Sequence, residues 1–338
     1  MTGDCMAEVL SILDACVPRT RVPRVLTFPT HERYQSTLDR VRAEFYLWQG
    51  PGIKSWDFRF SSLPANHVLL PYSDQGPALP PGVRPDLVLS QHAIQFQAAI
   101  SAAEYFSVPL LRIEHTLPEG SPTSSLGDLN VYITEHQRHL WRGADTDPII
   151  RNAIDTDFFC PPVASVTRDQ ICLSVVNDWI RRDAVCGYNY WKLATAGLPT
   201  RVVGDTPGLS SAAKDTKELL SFYQSSQIFL CTATHSTSPV TVLEAMAAGC
   251  CVVAHRIAAT EETITHGETG FLVDDPAQMT KMIRRLLANP QYCSQIGLAS
   301  RERVIQRHSK SRFVKDWDAV LERSLWMPWW RRLWSRSD

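Results

Sequence analysis

The chain has 338 residues and a formal net charge of -1, with 44% hydrophobic and 20% charged residues. This composition is typical of a globular protein, and the length predicts two domains at roughly 100–200 residues each. The near-neutral charge excludes the global basic field that attracts nucleic acid, while leaving room for a local patch.

The sequence predicts neither a membrane span nor an export signal. No apolar run approaches the roughly 18 residues of a transmembrane helix. Residues 1–21 contain Asp4 and Glu8 but no basic start before a short apolar stretch. The nine cysteines include no C-x-x-C pair, which favours reduced thiols that mostly pack in the interior. We therefore expect a cytoplasmic protein.

Short apolar runs alternate with segments of helical period along most of the chain. Runs rich in Val, Ile and Leu without strict alternation are typical of parallel strands buried on both faces. The predicted strands are 24–28, 67–70, 87–90, 110–114, 130–134, 171–176, 201–203, 228–231, 250–254 and 270–273. The predicted helices include 93–106, 215–224 and 278–288. This alternation predicts doubly wound α/β units.

Residues 155–165 contain Pro161-Pro162 and separate the two α/β series, so we interpret them as a linker. The predicted organisation is a first Rossmann-like domain over residues 1–158 and a second over 159–312, followed by a tail, 313–338. Two such domains facing each other leave a cleft at the carboxyl ends of their strands, where ligands bind in open α/β sheets.

The most informative stretch is 234–273, in which a polar loop leads into a helix. The helix is predicted to begin near Pro239 and to end at Gly249. A polar loop before a helix presents backbone N–H groups and the positive end of the helix dipole, which favours a phosphate. Glu244 lies roughly one and a half turns into the helix. There its carboxylate can accept hydrogen bonds from paired hydroxyls, such as those of a ribose.

This stretch resembles the donor-binding signature of retaining family 4 glycosyltransferases, a Glu, seven residues and then Glu-Ala-Met-Ala-x-Gly. The similarity continues through residues 252–254, Glu262, Gly267, Gly270 and 272–273, and residues 150–159 resemble the family's linker. It covers residues 145–320 well and the first 140 only loosely. The resemblance implies an α/β fold of GT-B architecture, with two Rossmann-like domains whose parallel sheets face each other across a cleft.

The resemblance implies that Glu244 binds the ribose of a nucleoside diphosphate sugar. Ser236 stands where the family has its first Glu, so recognition of the sugar departs from the usual pattern. The other implied donor-binding positions are Thr237, Ser238, Val240, Gly204, Lys192 and Glu262. For Glu262 the alternative is a residue that braces its own loop.

The family also holds the diphosphate with cations after the first strand of its second domain. Arg181 and Arg182 follow that strand here and are candidate catalytic residues, because a guanidinium holds phosphate oxygens bidentately. His115 follows strand 110–114 and resembles the family's histidine beside the donor sugar. His31 and Glu32, after the first strand, are candidate acceptor-binding residues, although the usual glycine-rich loop is absent there.

These features predict a retaining transfer of a sugar to an acceptor hydroxyl, without metal or other cofactor. The three Asp-x-Asp strings, at 145–147, 155–157 and 316–318, are not predicted to bind metal. Two alternatives remain open: a catalytically silent nucleotide-binding protein, and a nucleotide-sugar epimerase or hydrolase on the same fold. A glycan or lipid is favoured as acceptor over a protein or a modified nucleobase in DNA.

The tail combines aromatic and basic residues: Trp326, Trp329, Trp330 and Trp334 lie beside Arg331, Arg332 and Arg336. The favoured interpretation is that the last helix crosses back and packs these rings on the first domain, as GT-B chains commonly do. The alternatives are peripheral contact with an anionic membrane at its inner face and, behind it, contact with nucleic acid.

Overall fold

The computed structural model describes residues 21–58, 61–118, 127–163 and 167–326. The first half forms a parallel sheet in the spatial order β3-β2-β1-β4-β5-β6. Its strands are β1 (Arg24–Thr27), β2 (Glu44–Leu47), β3 (His67–Leu69), β4 (Leu87–Ser90), β5 (Leu110–Ile113) and β6 (Leu129–Val131).

The second half forms a separate parallel sheet in the order β11-β10-β9-β7-β8. Its strands are β7 (Asp169–Val175), β8 (Thr200–Val203), β9 (Ser226–Cys231), β10 (Cys251–His255) and β11 (Phe271–Val273). Every residue of the central strand β9 is buried, as expected for a sheet covered by helices on both faces. The predicted α/β fold with two parallel sheets is confirmed.

The helices connect the strands and cover the sheets. In the first half they are α1 (Glu32–Ser36), α2 (Phe96–Phe106) and α3 (Glu135–Leu140), with short 3-10 helices at Thr37–Arg40 and Ala93–Gln95. In the second half they are α4 (Asp183–Cys186), α5 (Tyr188–Thr195), α6 (Thr216–Ser225), α7 (Val240–Ala247), α8 (Ala258–Thr263), α9 (Pro276–Leu287) and α10 (Pro290–His308). A last helix, α11 (Lys310–Leu325), follows.

Two strands differ from the sequence prediction. Strand β2 was not predicted, and the strand expected at 130–134 is instead β6 (Leu129–Val131). Thr134 belongs to the next element, because its hydroxyl accepts a hydrogen bond from the Gln137 backbone N–H and caps α3. A threonine at the start of a helix contributes more as a cap than as another strand residue.

Helix α11 returns to the first sheet. Phe313, Trp317, Val320 and Leu321 are buried in one cluster with residues of β1, β2, β4 and β5. The Trp317 indole N–H also donates to the Tyr34 hydroxyl of α1, at 3.1 Å. Trp326 ends the helix and is 39% exposed, while the other tail tryptophans and arginines lie outside the described residues. The exact domain limits stay a prediction.

Candidate active site

A cavity of about 560 Å³ opens at the carboxyl end of the second sheet. It lies at the ends of the neighbouring strands β7 and β9, where the strand order of the sheet changes direction. Open α/β sheets bind ligands at this position. Its lining includes Asn177 after β7, Gly204 after β8 and Thr232 after β9. A volume of this order is typical of small-molecule sites.

The amino end of α7 forms one wall of the cavity. Pro239 is its N-cap residue, and among the described residues no side chain caps this end. Ser236 and Val240 line the cavity, while Thr237 and Ser238 lie in the same loop outside its lining. The unbonded backbone N–H groups and the helix dipole therefore point a positive potential at the cavity.

Glu244 lies in the second turn of α7, where it lines the cavity and is 7% exposed. The hydroxyl of Tyr223, on α6, donates a hydrogen bond to Glu244 Oε2 at 2.8 Å. Burial raises the pKa of Glu244 to about 6, against the opposing effects of the Tyr223 hydrogen bond and the positive charge of Arg33. Near neutral pH the carboxylate is ionised and can accept further hydrogen bonds. Tyr223 was not predicted as its partner.

Gly204 shapes the floor of the cavity. Its φ is 138°, and a Cβ added there would lie 2.0 Å from the carbonyl oxygen of Val176. Glycine is required by both the backbone conformation and this close approach. The turn after β8 thereby packs directly against the end of β7 at the edge of the cavity.

The predicted cations are placed unequally. Arg182 lines the cavity, whereas the Arg181 side chain is 86% exposed and its guanidinium pairs with Asp178 at 2.6 Å. Lys192 lies outside the cavity lining, with its ammonium 5.5 Å from the centre of the Tyr188 ring. Of the predicted cations, the structure thus brings Arg182 to the cavity, and it adds Lys214, which the sequence did not single out.

A further arginine reaches the cavity from the first domain. Arg33 lies on α1, directly after the first strand of the other sheet, yet it lines the same cavity as Glu244 and Arg182. Its neighbours His31 and Glu32 were predicted as site residues, but Arg33 was not. The signal that could have found it is its position after β1, at the edge of the sheet that faces the cleft.

His31 and His115 meet at the carboxyl edge of the first sheet. Their ring centres are 4.4 Å apart, and His92 lies 5.9 Å from His31. The His115 ring also contacts Gln91 through Nε2, at 3.3 Å. Burial and the neighbouring histidines lower the pKa of both His31 and His115, so these rings are neutral at pH 7. Neutral imidazoles can donate and accept hydrogen bonds to sugar hydroxyls.

Glu32 and Glu262 both have structural partners. The Glu32 carboxylate accepts hydrogen bonds from the Lys54 ammonium, at 2.7 Å, and from the Asp57 backbone N–H. Glu262 accepts hydrogen bonds from the backbone N–H groups of Glu135 and His136, at 3.0 and 2.7 Å. These two groups form the amino end of α3, so Glu262 connects the second domain to the first. It lies outside the cavity lining.

Two further properties concern the described part of the chain. No group of three His, Cys, Asp or Glu side chains is arranged there to hold a metal ion. None of its helices combines the length and apolar character needed to cross a bilayer.

Known proteins resemble this chain in sequence over part of its length. Residues 196–289 match the family model of the glycosyl transferases group 1. Over 101 residues the chain is 31% identical to the alpha-1,3/1,6-mannosyltransferase ALG2 of Homo sapiens. That match covers 30% of this chain and 24% of the human protein, so it spans about a quarter of the curated relative.

Solved structures match along nearly the whole chain. Sucrose-phosphate synthase from Thermosynechococcus elongatus superposes with a TM-score of 0.68 at 15% identity, covering 90% of this chain and 99% of that one. HepE of Anabaena, solved in complex with UDP, has a TM-score of 0.71 at 14% identity, covering 90% and 100%. The chain has the GT-B fold. The group 1 segment of this GT-B protein contains Gly204, α7 and Glu244, which confirms the resemblance to a glycosyltransferase, while retention of configuration stays a prediction.

Proposed function

We propose that this GT-B protein transfers a sugar from a nucleoside diphosphate to an acceptor hydroxyl. The observation that carries the proposal is the cavity itself, where the uncapped end of α7, the Glu244 carboxylate and several cations converge. The diphosphate is held by helix N–H groups and guanidinium, and the ribose by Glu244. HepE, solved in complex with UDP-glucose, supports this class of donor.

The proposed reaction retains the configuration of the sugar and uses no metal. The bond between the sugar C1 and the diphosphate oxygen breaks, and a bond from C1 to the acceptor oxygen forms on the same face. The acceptor proton passes to a phosphate oxygen of the departing diphosphate. Arg182 and the amino end of α7 stabilise the negative charge that grows on the leaving group, which is usually the largest catalytic contribution.

The acceptor enters from the first domain in this proposal. His115 and His31 lie at the edge of that domain's sheet and offer neutral rings to hydroxyl groups. Glu32, bound to Lys54, orders the adjoining loop. We propose a cytoplasmic protein whose acceptor is a glycan or lipid ahead of nucleic acid.

Replacing Glu244 with glutamine is expected to weaken nucleoside diphosphate binding about 10- to 100-fold. The reason is that hydrogen bonds to a charged acceptor contribute about 1.5–3 kcal/mol. Calorimetry and thermal shift with a panel of nucleoside diphosphates and their sugar conjugates, with and without magnesium, measure the change. Donor turnover without an acceptor would indicate an epimerase or hydrolase, and binding without any turnover would indicate a silent protein.

The matched control is Glu302→Gln, because Glu302 is exposed on α10 and lies outside the cavity lining. Equal nucleotide affinity in wild type and Glu244→Gln would contradict the ribose assignment. Absence of binding by wild type to any nucleotide would contradict the proposed function as a whole.

Nucleoside affinity is expected to fall as the pH drops below about 6. Burial raises the pKa of Glu244 to about 6, and only the ionised carboxylate accepts hydrogen bonds from both ribose hydroxyls. Below this pKa the affinity should decrease by about tenfold per pH unit. A nucleoside without phosphate is the appropriate ligand, because its affinity carries no phosphate titration. A profile that is equally steep in Glu244→Gln would contradict the assignment.

A further inference from the structure

Arg33 crosses from one domain to the binding cavity of the other. Among the described residues that line this cavity it is the one from the first half of the chain, since the others lie between Val175 and Glu244. Helix α1 fixes the backbone of Arg33, because the Glu32 and Gln35 side chains of this short helix are both buried. The guanidinium thus faces the second domain from a fixed base on the first.

The Arg33 side chain is available for a ligand. It is exposed, and within the described part of the chain no carboxylate forms an ion pair with it. The adjacent Glu32 is bound to Lys54 and the Asp57 backbone. The positive charge of Arg33 acts to lower the pKa of Glu244. The Glu244 carboxylate nevertheless accepts its hydrogen bond from Tyr223 and not from Arg33.

The charges around the cavity leave room for an anion. Among the described residues, three cations line it, Arg33, Arg182 and Lys214, and all of them are exposed. The carboxylates in the described part of the lining are Glu244 and Asp215. Asp215 caps α6, where its side chain accepts a hydrogen bond from the Glu218 backbone N–H. The excess of one positive charge and the amino end of α7 together favour an anionic ligand such as a diphosphate.

We propose that Arg33 binds the diphosphate of the donor from the acceptor domain, opposite Arg182. The inference rests on the proposed function and deepens it, because it names a phosphate contact that joins the two domains. A guanidinium offers two parallel N–H groups to phosphate oxygens, so its contact is directional as well as charged. Binding of the diphosphate thereby draws the domains together and excludes water from the cleft.

The test compares nucleoside and nucleoside diphosphate affinities in Arg33→Ala and wild type, using the base that stabilises wild type most. The expected result is a loss of about 10- to 100-fold for the diphosphate, with the nucleoside unchanged. Arg33→Lys should recover part of the loss, since it restores the charge without the planar fork. Arg40→Ala is the matched control, because Arg40 is exposed nearby and lies outside the cavity.

Each outcome is decisive. Unchanged diphosphate affinity in Arg33→Ala overturns the inference while leaving the donor site intact. An equal loss for nucleoside and diphosphate also overturns it, because Arg33 would then act on the ribose through Glu244. If wild type binds no nucleotide, the proposed function itself has failed. Thermal denaturation without ligand verifies that each variant is folded, which the exposure of Arg33 favours.

Discussion

Replacing Trp317 with alanine is expected to lower the free energy of unfolding by about 3–5 kcal/mol, the cost typical of removing a buried tryptophan. Trp317 has no exposed surface, and it packs with Phe313 in the core of the first sheet although it comes from the last helix. The truncation also leaves the buried Tyr34 hydroxyl without its indole donor. Because Tyr34 adjoins Arg33, donor binding should weaken as well.

Urea denaturation followed by circular dichroism measures this loss. Trp317→Phe is the control, since it keeps a six-membered aromatic ring in the core and removes only the pyrrole part of the indole with its N–H. Its cost should be clearly smaller than that of Trp317→Ala. A Trp317→Ala variant as stable as wild type would show that α11 contributes little to the first core.

Replacing Gly204 with alanine is expected to destabilise the second domain by about 3 kcal/mol or more. The added Cβ would meet the Val176 carbonyl oxygen at 2.0 Å, and the backbone φ of 138° is itself unfavourable for alanine. Backbone atoms cannot rotate away as a side chain would, so the ends of β7 and β8 must separate. Both ends line the cavity, and nucleotide binding should be lost with stability.

Gly208→Ala is the control that separates the cost of an unfavourable backbone conformation from the cost of a steric clash. Gly208 lies in the same turn with a φ of 79°, but an added Cβ there meets nothing within 4 Å. It should cost only about 1 kcal/mol, from the unfavourable backbone conformation. Equal melting temperatures and equal nucleotide affinities for the two variants would contradict the argument from close approach at Gly204.

The fold was largely predictable because strands buried on both faces of a parallel sheet appear in the sequence as uninterrupted apolar runs. The central strands β4 and β9 are entirely buried, and both were predicted within two residues of their ends. Strand β2 escaped because Glu44–Leu47 is short, lies next to a 3-10 helix and carries a partly exposed glutamate. Strand β2 forms because it pairs with β1 and β3 in the sheet, and this pairing cannot be inferred from its local sequence.

The site was predictable where it is local and not where it spans domains. The loop before α7 and Glu244 lie close together in sequence, so their relation to a phosphate and a ribose could be inferred. Arg33 and Tyr223 could not be found in this way, because Tyr223 reaches Glu244, and Arg33 reaches the cavity, only after distant segments pack. Lys192 and Arg181 were predicted because they follow β7, yet neither lies in the cavity lining.

The return of α11 to the first sheet has a consequence for biosynthesis. Domains usually fold in order as they emerge from the ribosome, amino-terminal first. Here the core around β1 is completed by Phe313, Trp317 and Val320, so it stays open until those residues have been translated. The second domain, whose strands and helices lie between 169 and 308, can assemble earlier. The first domain to leave the ribosome is therefore the last to be finished, and a chain stalled before residue 310 exposes the apolar face that α11 covers.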